Sequence, residues 1–125
     1  MYNEEAVAKE CYKRITSVLL ELTNYNYEII IVDDGSKDKT LEIIEEIAQN
    51  DKKLRVISFS RNFGHQAAVT AGLKETTGDA VVIIDADMQD PPELIKDMVD
   101  LWEDGNEVVY AVRSKRKGES IFKVL

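Results

Sequence analysis

At 125 residues, 44% of them hydrophobic, the chain is long enough to bury one core and too short for two ordinary domains. A formal net charge of −8 and a pI near 4.7 exclude a nucleic-acid surface, because phosphate backbones are bound by basic stripes, so a phosphate-bearing ligand has to meet local cations or a metal ion. The single cysteine, Cys11, excludes an internal disulfide; no apolar run approaches the about 18 residues of a membrane span and nothing at the start resembles a signal peptide, so these residues are expected to be soluble.

Asn3 reads as a helix N-cap, with Glu4 and Glu5 suited to the positive end of a helix dipole. Val7, Cys11, Ile15, Val18, Leu19 and Leu22 recur at three- and four-residue spacing, the apolar stripe of a helix lying on a sheet. Cys11 falls on that stripe, which favours burial over catalysis. The Thr23-Asn24-Tyr25-Asn26 stretch ends the helix. Tyr27 to Val32 is a β-branched run closed by Asp33-Asp34-Gly35-Ser36, and Leu41, Ile43, Ile44, Ile47 and Ala48 mark the helix that follows.

A further strand, Leu54 to Phe59, leads through Ser60-Arg61-Asn62-Phe63-Gly64-His65-Gln66 into a small-residue helix, Ala67 to Thr76, stopped near Gly78. The next strand is Ala80 to Ile84, ending abruptly in Asp85-Ala86-Asp87-Met88-Gln89-Asp90. Pro91-Pro92 then opens a helix through Leu94, Ile95, Met98, Val99 and Trp102, with its stop at Gly105. Trp102 and the methionines at helical spacing read as core. A last strand, Glu107 to Val112, ends in the basic run Arg113-Ser114-Lys115-Arg116-Lys117-Gly118. Both ends look cut, since the chain enters a helix at once and stops on the apolar run after Ser120; a longer parent is expected.

Strands alternating with helices at this spacing predict right-handed βαβ units and a mostly parallel sheet covered on both faces, an α/β fold of one domain. Ligands of such sheets bind beyond the carboxyl ends of the strands. Asp33-Asp34, Asp85-Asp87 and the Arg113 to Lys117 cluster all fall at such ends, so they are predicted to share one rim. Asp85 and Asp87 have the same strand parity and project to one side. Two carboxylates about 4 Å apart repel by roughly 4 kcal/mol at an effective dielectric near 20, so the pair calls for a cation or a shared proton. A hard divalent ion completed by water and phosphate oxygens answers that need.

Three stretches together carry a resemblance: Val32-Asp33-Asp34-Gly35-Ser36 with Asp38 and Thr40; Arg61-Asn62-Phe63-Gly64-His65-Gln66-Ala67-Ala68; and Asp85-Ala86-Asp87-Met88-Gln89-Asp90-Pro91-Pro92-Glu93. In this order, each at a predicted strand end, they resemble the family 2 glycosyltransferases of Rossmann-like GT-A fold, nearest to the polyprenyl-phosphate branch that includes dolichyl-phosphate mannose synthases and undecaprenyl-phosphate sugar transferases.

The resemblance implies transfer of a sugar from a nucleotide-sugar donor to a polyprenyl-phosphate acceptor, with Mg²⁺ or Mn²⁺ stabilising the leaving diphosphate. It implies that Tyr2, Asn3 and Glu4 are the remnant of a turn that contacts the nucleoside, that Asp33 recognises the base, and that Asp34 supports that loop in the nucleotide site. Asp85 is similar to an aspartate near ribose and metal, Asp87 and Gln89 match metal ligands, and Arg113, with Arg116, resembles arginines that meet the acceptor phosphate. The lipid phosphate is already an anion, so it needs positioning by guanidinium groups more than deprotonation. The resemblance also implies an apolar N-terminal strand at the sheet centre, here largely missing, and membrane attachment at the cytoplasmic face through regions outside these residues. A further acidic residue often assigned to catalysis would lie beyond Leu125, so the 125 residues are not expected to turn over alone.

Each motif has a plainer reading. Asp85 and Asp87 read also as solvated strand-end residues capping the next helix, Asp33 to Ser36 as an ordinary turn, Tyr2 to Glu4 as a helix cap and the basic run as a solvated terminus. His65 reads as a loop or helix-start residue, since no partners for a metal site are evident. Two other functions stay open: a phospho-accepting receiver-like signalling domain, from which a full helix before Asp33 and the missing Lys-Pro depart, and a non-catalytic nucleotide-sugar binder.

Overall fold

The computed structural model describes residues 1–87, 89–113 and 120–124, with the backbone alone for residues 110–113 and 120–124. The order of elements is α1 (Ala8–Glu21), β1 (Ile29–Asp33), α2 (Thr40–Asn50), β2 (Leu54–Ser58), α3 (His65–Lys74), α4 (Leu94–Glu103), β3 (Val109–Arg113) and β4 (Ser120–Val124). The β1-α2-β2-α3 run matches the alternation read from the sequence, and the fold is an α/β Rossmann-like one. β1 and β2 pair in parallel, with Ile29 opposite Leu54 and Asp33 opposite Ser58. α2 packs on both strands, α3 on β1, and α1 against α2.

The apolar stripes face inward as their spacing dictates. Ala8, Cys11 and Val18 of α1, Ile29 of β1, Ile44 of α2, Leu54 of β2 and Ile95 of α4 are buried. Cys11 is therefore a core thiol, as expected. Trp102 and Met98 are only half-buried, and the indole meets Tyr25 with ring centroids 6.3 Å apart. α3 lies close to the sheet at Gly72, where a Cβ would stand 3.4 Å from Val32 Cγ2, in van der Waals contact. Arg14 pairs with Glu93 at 2.8 Å and Lys96 pairs with Glu21, tying α4 to α1.

Three expectations are corrected. Residues 80–84 form no strand. A strand exists by pairing, and this segment has no ladder partner among the described residues. β1 gives one edge to β2; on the other, Met1 alone among the described residues makes a rung, its nitrogen donating to the Val32 carbonyl and its carbonyl accepting the Asp34 N–H at 2.7 Å. Between β1 and residues 80–84 lies a cavity of about 1110 Å³, lined by Ile30, Val32, Val81, Ile83, Leu19 and Trp102 among others. The apolar run that predicted a buried strand is consequently exposed at Val81, Val82 and Ile83.

The last predicted strand does form, one residue later at its C-terminal end, but it leaves the parallel sheet. β3 pairs antiparallel with β4, Val109 opposite Val124 and Arg113 opposite Ser120. Antiparallel neighbours can be joined by a short connection, whereas a parallel partner needs a crossover.

The N-terminal turn also differs. α1 begins at Ala8, and Asn3 does not cap it: its φ is +51° and its side chain is engaged elsewhere. Four of the turn's polar groups reach to the loop before α2 instead. The Asn3 N–H donates to Ser36 Oγ at 2.9 Å, the Lys37 N–H to Asn3 Oδ1 at 2.8 Å, the Glu4 N–H to Thr40 Oγ1 at 2.8 Å, and the Glu5 N–H to Asp38 Oδ2 at 3.3 Å.

Candidate functional site

Asp33 is the last residue of β1 and is 1% exposed. Its carboxylate accepts the Ser36 N–H at 3.1 Å and the Ser36 hydroxyl at 2.5 Å, a closed turn that satisfies a buried charge locally. Asp34 is 6% exposed and turns the other way, as adjacent side chains must. Its two oxygens accept the Phe63 N–H at 2.8 Å and the Gly64 N–H at 3.1 Å. So the loop after β1 holds the loop after β2.

Gly35 makes that contact possible. Its φ is +72°, and a Cβ on it would lie 2.2 Å from the Arg61 carbonyl carbon. Above the contact, the Arg61 guanidinium covers the Phe63 ring at 4.1 Å, and Phe63 meets Phe59 edge-on at 5.6 Å between centroids. A half-exposed aromatic ring under a cation thus stands at the carboxyl end of β2.

The second acidic cluster sits on the unpaired stretch. Asp85 Oδ1 lies 3.7 Å from His65 Nε2 at the first turn of α3. The Asp87 carboxylate accepts the Gln89 N–H at 3.0 Å, a local turn that aims it within its own loop. Tyr2, Glu4, Asp34, His65, Asp85 and Asp87 all line the large cavity described above. Asn3 and Asp33 are not among its lining residues, being turned into the N-terminal clasp and the Ser36 turn. Arg113 is placed by its backbone in β3, and Arg116 lies outside the described residues.

No group of three carboxylate, imidazole or thiol side chains able to hold a metal ion occurs among the described residues. The donor set at residues 85–89 still has the chemistry of a hard cation: two exposed carboxylates and an amide, all oxygen donors. Such a pair suits an ion that keeps several waters and takes its remaining ligands from a substrate's phosphates.

Sequence reasoning missed the two tethers that organise this rim, from Asp34 to the Asn62-Phe63-Gly64 loop and from His65 toward Asp85. The signal for the first was present, since a buried aspartate beside a Gly-Ser turn needs donors and the next strand end supplies them. No local pattern announced the second.

The sequence profile of glycosyl transferase family 2 matches residues 1–125. Over 123 residues, 98% of this chain, an uncharacterized glycosyltransferase, YkcC, of Bacillus subtilis (strain 168) is 54% identical, the match covering 38% of that protein. A bactoprenol glucosyl transferase of Shigella phage SfX is 42% identical and a prophage bactoprenol glucosyl transferase homolog of Escherichia coli (strain K12) is 41% identical, each over 98% of this chain and 40% of the relative. The chain therefore spans about two fifths of the length of the curated relatives it matches.

Proposed function

This chain belongs to glycosyl transferase family 2, and from that premise we propose that it forms the donor-binding part of an enzyme that moves a sugar from a nucleoside diphosphate sugar to a polyprenyl phosphate. The observation that carries the reading is that Tyr2, Glu4, Asp34, Asp85 and Asp87 all line one cavity, which extends along β1 and past that strand's carboxyl end. The relatives from Shigella phage SfX and Escherichia coli, a bactoprenol glucosyl transferase and a homolog of one, support a polyprenyl-phosphate acceptor.

Each group has a task in this reading. Tyr2 offers an exposed ring to the base, and Asp33, backed by Ser36, fixes the turn beside it. Asp34 keeps the Phe63-Gly64 backbone against that turn. Asp85, Asp87 and Gln89 hold Mg²⁺ or Mn²⁺ against the diphosphate. The ion, when bound, neutralises charge on the leaving group as a Lewis acid. Arg113 and Arg116 meet the acceptor phosphate, a role for which a planar guanidinium is suited. Among the described residues no helix is long and apolar enough to cross a membrane. Attachment at the cytoplasmic face belongs, in this proposal, to the rest of the parent protein.

Isothermal titration of a nucleoside diphosphate in the presence of Mn²⁺ tests the reading. Binding is expected to need the metal and to disappear in Asp87→Ala. Equal, metal-independent binding by both proteins overturns it.

A further inference from the structure

We propose that His65 is a positioning residue of the donor site, holding the Asp85 carboxylate in place from the start of α3. This rests on the donor-binding reading above and adds to it a residue outside the set Asp85, Asp87 and Gln89.

The need for such a residue comes from the backbone. Asp85 lies on a stretch that makes no ladder, so nothing in the sheet fixes its direction. Asp87 is turned by the Gln89 N–H, but among the described residues no hydrogen bond of that kind restrains Asp85. Among the described residues His65 is the one basic side chain within ion-pair distance of it. Without a restraint, two like-charged carboxylates swing apart, and the geometry that suits a shared ion is lost.

His65 is well placed to restrain it. The residue before it, Gly64, has φ +101° and donates its N–H to the buried Asp34, while its carbonyl accepts the Ala68 N–H at 3.2 Å as the first helical bond of α3. The imidazole therefore projects from backbone pinned on both sides. A line of contacts runs from β1 through Asp34 and Gly64 to His65 and on to Asp85, joining the first acidic cluster to the second. The Nε2 to Oδ1 separation of 3.7 Å closes to a hydrogen bond with a small rotation of either exposed side chain. Neutral imidazole with its proton on Nε2 donates to the carboxylate, and imidazolium does the same, so the role does not depend on one charge state. Groups that orient a metal-binding side chain in this way typically change metal affinity 10- to 100-fold when removed.

The test is titration of a nucleoside diphosphate with Mn²⁺ into the protein and into His65→Ala, His65→Gln, Asp85→Ala, the Asp85→Ala/His65→Ala double variant, and Asp87→Ala. Metal-dependent binding is expected to weaken about tenfold in His65→Ala. It should recover in His65→Gln, whose amide N–H reaches nearly as far as Nε2. In the Asp85→Ala background, His65→Ala should cause no further loss. Thermal midpoints should not move with His65→Ala, because its side chain is 71% exposed. His65→Ala binding as tightly as the parent while Asp87→Ala has lost binding overturns this proposal alone. Equal weakness of His65→Ala and His65→Gln, or an added loss in the Asp85→Ala background, also overturns it. Unaltered, metal-independent binding by Asp87→Ala would instead remove the donor reading and this inference with it.

Discussion

The Asp34 carboxylate accepts the Gly64 N–H at 3.1 Å, a bond between the turn that ends β1 and the residue that caps α3. With the companion bond from Phe63, it makes one aspartate the fastening between two loops that each carry candidate ligand-binding side chains.

Asp34→Ala leaves two part-buried N–H groups without their acceptor. A loss of about 2–3 kcal/mol in stability is expected, the scale of breaking hydrogen bonds to a charged group. Asp34→Asn, which keeps one oxygen, should lose less. Urea unfolding of the three proteins measures the difference; equal midpoints would show that the loops hold each other by other means.

Gly35 tests the same fastening from the backbone side. A methyl group there would meet the Arg61 backbone at 2.2 Å, and the φ of +72° is itself unfavourable for any other residue. Gly35→Ala should therefore destabilise by about 1–3 kcal/mol from conformation alone, with more from the displaced Arg61-Asn62 backbone. Differential scanning calorimetry would register this as a large drop in Tm.

The Tyr12 hydroxyl donates to Asp51 Oδ2 at 2.5 Å and links α1 to the end of α2. That bond holds the Asp51 carboxyl below its ordinary 3.8 and pushes the Tyr12 phenol above its ordinary 10.0. The Arg14 guanidinium likewise holds Glu93 below 4.5. Carboxyls whose folded pKa is depressed contribute stability above their unfolded pKa and lose it as the pH falls through the folded value. A phenol whose folded pKa is raised contributes fully below its unfolded pKa and loses the contribution as pH rises through the folded one. The contributions of these three groups should consequently be level between about pH 5 and 9 and fall on both sides. Tyr12→Phe should remove the tyrosine's part of the alkaline fall and make the acid one shallower, read from urea midpoints across pH.

Val81, Val82 and Ile83 are 45%, 41% and 56% exposed beside the edge of β1 that β2 does not occupy. Contiguous apolar side chains next to an open strand edge recruit other apolar surface. The 125-residue chain is expected to bind an environment-sensitive dye and to self-associate in sedimentation. Ile83→Lys should reduce both without lowering Tm. A drop in Tm of the size a core substitution causes would instead place Ile83 in the packed interior.

The parts of the fold legible in the sequence were those fixed by local pattern. The α1 stripe, the β-branched run before Asp33, the helix at Leu41 to Ala48 and the small residues of α3 all announce themselves within one element. Residues 80–84 carry an equally clear strand composition, yet a strand is a relation between two backbones, and composition says nothing about whether a partner stands alongside. The misreading of Asn3 had a different origin: capping a helix and clasping a neighbouring loop call for the same short amide side chain. At the site, the two acidic clusters could be read from the sequence, but their placement could not: Asp34, Asp85 and Asp87 line one cavity, while Asp33 is turned into its own loop and Asp85 follows no strand. The link from His65 to Asp85 joins residues on different elements, and only the packing of α3 beside the 80–87 segment brings them together.

The clasp at the N-terminal turn has a consequence for recognition. Tyr2 precedes residues bonded to Ser36, Lys37 and Thr40, and Ser36 is also the partner of Asp33. The aromatic ring and the Asp33 turn are thus borne by two stretches of backbone already bonded to each other. For a ligand bound there as proposed, much of the disorder that association would otherwise have to remove is already gone, so that a modest contact area would hold it firmly.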